Sequence, residues 1–346
     1  MRILYFAPPN VGLMGDFGGV LRLMRLHEMS LVAMGHTVDY LSPWDAPDLG
    51  SYDVCHAFMA NGNSYSVAEI LHHSLPLVVS PIIDNLHSNF SLRLNVWLDH
   101  KLPVFYSHIG RCAAMCQMAD KVCLMSSEEQ RCLTEGLGVT SSSAVTPCPI
   151  VDDSAAPCSE RFNTYSDTPY ILFLGDGGNP RKNVLRLIEA VSGLDTPLLI
   201  GGMISEGVVG NRVKALANST PNVTLVGRLS AGEKTYLLQH AAVFVLPSLM
   251  EGLGLAATEA ALLGTTVVVT TAGGPRDYFE DLAYYVDPNS VSDIRDKIVV
   301  ALREPRDASK RMKESFSVEA MGRHLDAQYQ DAISTFSQRN VASTPH

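Results

Sequence analysis

A chain of 346 residues is longer than one ordinary hydrophobic core organises and predicts two domains of roughly 150 to 180 residues each. Its 46% apolar and 18% charged residues fit a globular protein with large buried sheets and exclude a disordered chain. The formal net charge of −10 argues against nucleic acid as a partner and against attachment to anionic lipid by basic residues alone.

From residue 2 onward short apolar runs alternate with longer amphipathic ones, the rhythm of a parallel sheet covered by helices. "RILYFAP" predicts a first strand, "DFGGV" a glycine turn, "LRLMRLHEMSLVAMGH" a helix ending near Gly35, and "TVDYLS" a second strand. "DVCHAF", "LPLVVS" and "ADKVCLMS" supply further strands, so residues 1–150 form a Rossmann-like half. The texture then changes to "TPCPIVDDSAAPCSERFNTYSDTP", rich in Pro, Ser, Asp and Thr and without periodicity, which predicts a linker over 151–168. The rhythm restarts with "YILFLGD", a helix from about Lys182 to Ser192, "PLLIGG", "VTLVGR", "AAVFVLPS" and "TTVVVTT", giving a second Rossmann-like half over 169–315. The expected fold class is α/β, with two doubly wound domains facing each other across a cleft. In such sheets ligands bind beyond the carboxyl ends of the strands.

The seven cysteines contain no CxxC pair and are expected to be reduced, buried thiols of a cytoplasmic protein. "MRILYFAPP" reads as a strand rather than as a signal peptide or a membrane span. Eight of the 11 histidines fall in the first half and are expected to be satisfied or solvated, with no spacing that supports a metal. Phe90, Trp97 and Tyr106 are expected to pack in the core, with an aromatic platform for a substrate as the other option.

The second half carries the chemistry. In "PSLMEGLGLAATEAALLG" a buried strand is followed by a loop and by a helix of good formers that stops at Gly264. Gly252 and Gly254 let the backbone turn and leave free N–H groups at a helix N-terminus, where phosphate binds. Carboxylates at Glu251 and Glu259 can accept hydrogen bonds from sugar hydroxyls. In "FLGDGGNPRKNVLRLIEAV", Arg181 and Lys182 stand between a strand end and a helix start, where two cations can hold a diphosphate. "TTAGGPRD" adds a glycine loop, and "VTLVGRLS" a strand end suited to a flat base. Phosphate, hydroxyls and base together describe a nucleotide sugar.

The motif "EGLGLAATE", a Glu followed by seven residues and a second Glu, together with the Arg-Lys loop, resembles the retaining GT-B glycosyltransferases of the family 4 type. "PPNVGLMGDFGGV", "MGHTVDYLSP", "ADKVCLMSSEE" and "YYVDPNSVSDI" extend the likeness, and "FSVEAMGRHLDAQYQDAI", within residues 316–346, looks like the family's closing helix that packs back on the first domain. The resemblance implies that Glu251 faces the donor sugar, Glu259 the ribose hydroxyls, and Arg181 and Lys182 the diphosphate. It implies further that Gly175 opens the diphosphate loop, that amides near Gly252, Leu253 and Gly254 complete the donor pocket, and that Arg228 lies near the base. Gly18 and Gly19 would let the first domain approach donor and acceptor. No metal or cofactor is implied beyond the nucleoside-diphosphate sugar itself. The acceptor is a sugar, a glycan or a lipid-linked molecule, and the location is cytoplasmic or peripheral at the inner membrane face.

Two departures stand out. Asp176 follows Gly175 where the family usually has Arg, and Ile82 stands near the place of a first-domain histidine, with Asp84 and His87 close by. Two other readings stay open: a nucleotide-sugar epimerase on the same scaffold, and, motivated by these departures, a degenerate transferase homologue acting as a partner subunit. A dinucleotide dehydrogenase is excluded, because "GDFGGV" lacks the GxGxxG spacing.

Overall fold

The apolar runs form two parallel six-stranded sheets. The structure is a computed structural model and describes residues 1–13, 19–42, 44, 46–83, 87–102, 106–151, 160–165 and 168–342. Two compact units result, Met1–Pro149 with Phe316–His346, and Ile150–Ser315. Among the described residues no helix is long and apolar enough to cross a membrane.

The first unit contains β1 (Arg2–Phe6), β2 (Thr37–Tyr40), β3 (Val54–Phe58), β4 (Leu77–Ser80), β5 (Lys121–Leu124) and β6 (Ser143–Val145), in the sheet order β2-β1-β3-β4-β5-β6. Every residue of β3, β4 and β5 is buried, as expected of parallel strands covered on both faces. The helix Val318–Ala342 packs against Gly19–Ala33 and against the strands of this sheet. Its Tyr329 hydroxyl lies 3.1 Å from that of Tyr5 and 2.7 Å from Nδ1 of His56, whose Nε2 is 2.9 Å from Oγ of Ser80. All four residues are buried, so each polar atom needs the next one.

The second unit contains β7 (Ile171–Leu174), β8 (Leu198–Gly201), β9 (Val223–Gly227), β10 (Val243–Leu246), β11 (Thr266–Thr270) and β12 (Tyr284–Val286), ordered β12-β11-β10-β7-β8-β9. The sheet order brings together three carboxyl ends that are far apart in sequence. β7 and β11 flank β10, and all run parallel.

Several expectations change. The helix expected from Lys182 begins at Val184: Pro180–Lys182 form a short 3-10 turn, and Asn183 follows at φ 59°. The expected linker lies largely outside the described residues, and its described part, Glu160–Tyr165, is another 3-10 turn. Phe90, Trp97 and Tyr106 are not core residues but are 77%, 55% and 58% exposed. His27 is neither satisfied nor solvated: it is buried, and neither ring nitrogen has a hydrogen-bond partner. Cys55, Cys112, Cys116 and Cys123 are free and buried, Cys148 is buried, Cys132 is half-buried, and Cys158 lies outside the described residues.

Candidate active site in the second unit

The loop after β7 is shaped by its own side chains. Asn179 accepts at Oδ1 from the Arg181 amide at 3.0 Å, and Pro180 fixes the first residue of the turn. Asn183, buried and left-handed, donates through Nδ2 to the carbonyls of Pro247 at 2.9 Å and Pro288 at 2.7 Å. The Arg181 carbonyl accepts from the Leu249 amide at 2.8 Å, which ties this loop to the one after β10. Arg181 and Lys182 are therefore presented by a braced backbone.

What they meet is Glu251. Lys182 Nζ lies 2.8 Å from its Oε1, and Arg181 Nη1 lies 3.5 Å from its Oε2 and donates to the Met250 carbonyl at 2.7 Å. Glu251 is 4% exposed. A buried carboxylate requires such partners, because desolvation of an unpaired charge costs several kcal/mol, of order 3–5 when one partner of a buried pair is lost. Two cations on one anion leave the trio a net charge of +1.

The loop after β11 holds Glu251 from the other side. Glu251 and Gly273 form a parallel bridge, the Glu251 amide donates to Ala272 at 3.2 Å, and the Gly274 amide donates to the Glu251 carbonyl at 2.9 Å. A Cβ on Gly273 (φ 99°) would stand 1.9 Å from the Glu251 carbonyl oxygen, so only glycine fits. On the amino side of the helix Leu255–Leu262, the left-handed turn falls on Gly254 (φ 75°), with no side-chain cap. Gly252, expected to share that turn, is not among the residues of positive φ. Leu253 is buried beside it.

Asp176, the departure nearest the expected phosphates, turns its Oδ1 to the amides of Gly178 and Ser205, both at 2.9 Å. It fastens the loop after β7 to the loop after β8. Gly175 precedes it, its amide bonded to the Gly201 carbonyl at 3.0 Å. Arg228, just past β9, is exposed, with Nη2 3.6 Å from the Met203 sulfur.

Glu259 is held by Lys234 at 3.1 Å, in a small pocket lined also by Val151, Thr235, Leu238, Leu262 and Leu263. Sequence reasoning missed Lys234: the pair joins two helices 25 residues apart, and no local pattern marks it. Asn183 was missed too, although Asn before a helix is a readable sign of a left-handed residue.

In the first unit, Gly19 begins the helix Gly19–Ala33 rather than lying in a turn, while Gly18 and Asp84 lie outside the described residues. His87 is exposed. Ile82 adopts φ 58°, strained for a β-branched side chain. Among the described residues, no group of three or more His, Cys, Asp or Glu is placed to hold a metal.

The family Glycosyl transferases group 1 matches residues 158–316. A 2-deoxystreptamine N-acetyl-D-glucosaminyltransferase of Niallia circulans is 36% identical over 88 residues, which are 25% of this chain and 22% of that protein. The fold is similar to that of sucrose-phosphate synthase from Thermosynechococcus elongatus, with TM-score 0.76 at 18% identity over 96% of this chain and 100% of the other. It is also similar to HepE of Anabaena, solved in complex with UDP and glucose, with TM-score 0.70 at 14% identity over 95% and 99% of the two chains. These likenesses give the fold, and the family match gives the domain: the chain has the GT-B fold and carries a glycosyl transferases group 1 domain over residues 158–316.

Proposed function

We propose that the chain is a retaining glycosyltransferase that moves a sugar from a nucleoside diphosphate to an acceptor. The observation that carries this reading is the meeting of Arg181, Lys182 and Glu251 where three strands end. A cationic pair on a braced loop, beside an uncapped helix N-terminus, suits a leaving diphosphate and needs no metal. The bond from the anomeric carbon to the phosphate oxygen breaks while the acceptor oxygen bonds to that carbon from the same face. The acceptor proton passes to the departing phosphate oxygen. Glu251 then positions the donor and its two cations and performs no acid/base step.

Glu259 is assigned to the ribose hydroxyls, with Lys234 holding it until nucleotide enters, and Arg228 to the neighbourhood of the base. The acceptor is a sugar or glycan, free or lipid-linked. Asp176 does not favour the degenerate reading, because backbone amides take up its charge at Oδ1. An epimerase would isomerise the donor with no acceptor present.

Calorimetric titration with UDP, GDP and ADP tests the reading, UDP first because it is the nucleotide bound in the HepE structure. Glu259→Ala should weaken the preferred nucleotide by about 1.5–3 kcal/mol, the worth of hydrogen bonds to a charged group. Unchanged affinity would remove Glu259 from the site. A product with inverted anomeric configuration, read by NMR, would overturn retention.

A further inference from the structure

The helix Asn89–Lys101 of the first unit has two unlike sides. Leu92 (1% exposed) and Asp99 (side chain 8% exposed) face inward, and Asp99 pairs with Arg111 at 3.4 Å. On the other side Phe90, Leu94 and Trp97 are 77%, 44% and 55% exposed. Separations of four and three residues place these three on one stripe. Exposed apolar residues normally lie singly, so a contiguous row asks for an occupant.

Charge says which. Asp99 is the only carboxylate of this helix and it is turned inward, so the ionisable side chains the helix exposes are Arg93, His100 and Lys101. Glu135, across from Asn89 and Arg93, shares Arg131 at 4.0 Å with Glu128 at 2.6 Å, so these three sum to −1, and Arg93 with Lys101 leaves the face at +1. On a chain of net charge −10 this face has the opposite sign. A glycan would require hydrogen-bonding side chains between the rings, but the stripe places Leu94 there. A second copy meeting this face through its own would bring Arg93 and Lys101 of both chains together, and like charges repel. Apolar stripe and cationic rim together suit a surface that is apolar below and anionic above.

We infer that the face Phe90, Leu94, Trp97 docks on an anionic lipid bilayer. The rings and Leu94 enter the boundary between headgroups and acyl chains, Trp97 sits at headgroup depth, and Arg93 and Lys101 meet the lipid phosphates. Neither half suffices alone, since basic residues are too few on this chain and an apolar stripe by itself does not select anionic lipid.

The two tryptophans make the test direct. Trp44→Phe removes the other one, itself 91% exposed, and leaves Trp97 as the sole reporter. This protein should sediment with phosphatidylcholine vesicles containing phosphatidylglycerol, and its emission should shift to the blue. Pure phosphatidylcholine should weaken partitioning at least about fivefold, the factor one basic side chain contributes. Phe90→Ser with Leu94→Ser in the same background should weaken it at least about tenfold, with the far-ultraviolet circular dichroism unchanged. Ile70→Ser, 68% exposed but on another helix, should leave it as it was. Absence of sedimentation with anionic vesicles would overturn the inference, as would undiminished binding of the double variant. A dimer seen by sedimentation velocity without lipid, and abolished by the double variant, would give the face to a second copy and overturn it too.

Discussion

Lys182 and Glu251 touch at 2.8 Å, yet removing either should have opposite effects on a diphosphate. Lys182→Ala takes a cation from the trio and brings its net charge from +1 to zero, so nucleoside diphosphate affinity should fall about tenfold to a hundredfold. Glu251→Gln removes the anion that competes with phosphate for the same two cations. Affinity should then hold or rise within about tenfold, while turnover drops at least about a hundredfold because Arg181 and Lys182 are no longer fixed. Calorimetry and initial rates on the two variants check both signs. Equal losses of affinity would mean that Glu251 is only a fold element.

At the scale of elements the site is a meeting of loops. Asp176 joins the loops after β7 and β8 through two amide bonds, so Asp176→Asn, which keeps one carbonyl oxygen, should change nucleotide affinity by less than about tenfold. Asp176→Ala loses both bonds and should cost about 1–3 kcal/mol of stability, read by denaturant titration. A gain of a hundredfold or more in binding by the Asn variant would show that the native site repels nucleotide. Gly273→Ala would drive a methyl group into the Glu251 carbonyl and should displace that residue, lowering both the melting temperature and nucleotide affinity. An unaltered Tm would mean that the loop after β11 gives way freely. This is also where the sequence was and was not legible. β7 and β10 are continuous apolar runs and β11 is a valine run between two threonines, so the strands and the loops that follow them were readable, and the places of Arg181, Lys182 and Glu251 with them. The strand β6, three half-buried residues, and β12, also of three, carry too little pattern to stand out. Nor does any residue type announce that Glu251 is already paired, because that depends on which strands are neighbours. The exposure of Phe90 and Trp97 escaped for a related reason: amphipathic spacing fixes a stripe but not which way the stripe faces.

Across the whole molecule, stability should follow the pH through buried histidines. Burial holds His27 down to about 3, and pushes His56, beside His27, Tyr5 and Phe58, well below its ordinary value. Above the ordinary histidine value of about 6.5 both states are neutral and nothing changes. Below it the unfolded chain takes up protons that the folded chain refuses, so stability falls with acid, by up to about 1.4 kcal/mol per pH unit for each histidine. Denaturant titrations at pH 7.5 and 5 should differ in the native chain and differ less in His27→Leu, which keeps an apolar side chain in the same space. Identical slopes for the two would show that His27 opens to water in the native state.

Because the first unit takes Phe316–His346 as well as Met1–Pro149, the order of the sequence is not the order of completion. During synthesis Ile150–Ser315 emerges with all six of its strands before Tyr329 exists, while Tyr5, His56 and Ser80 wait for their missing partner. At ~5–20 residues per second the wait from Ser80 to Tyr329 is roughly 12–50 s. The nascent chain therefore closes its second unit first and passes through a stage in which the amino-terminal sheet is whole in strands but uncovered along the face its late helix will occupy, the stage at which a chaperone has something to hold.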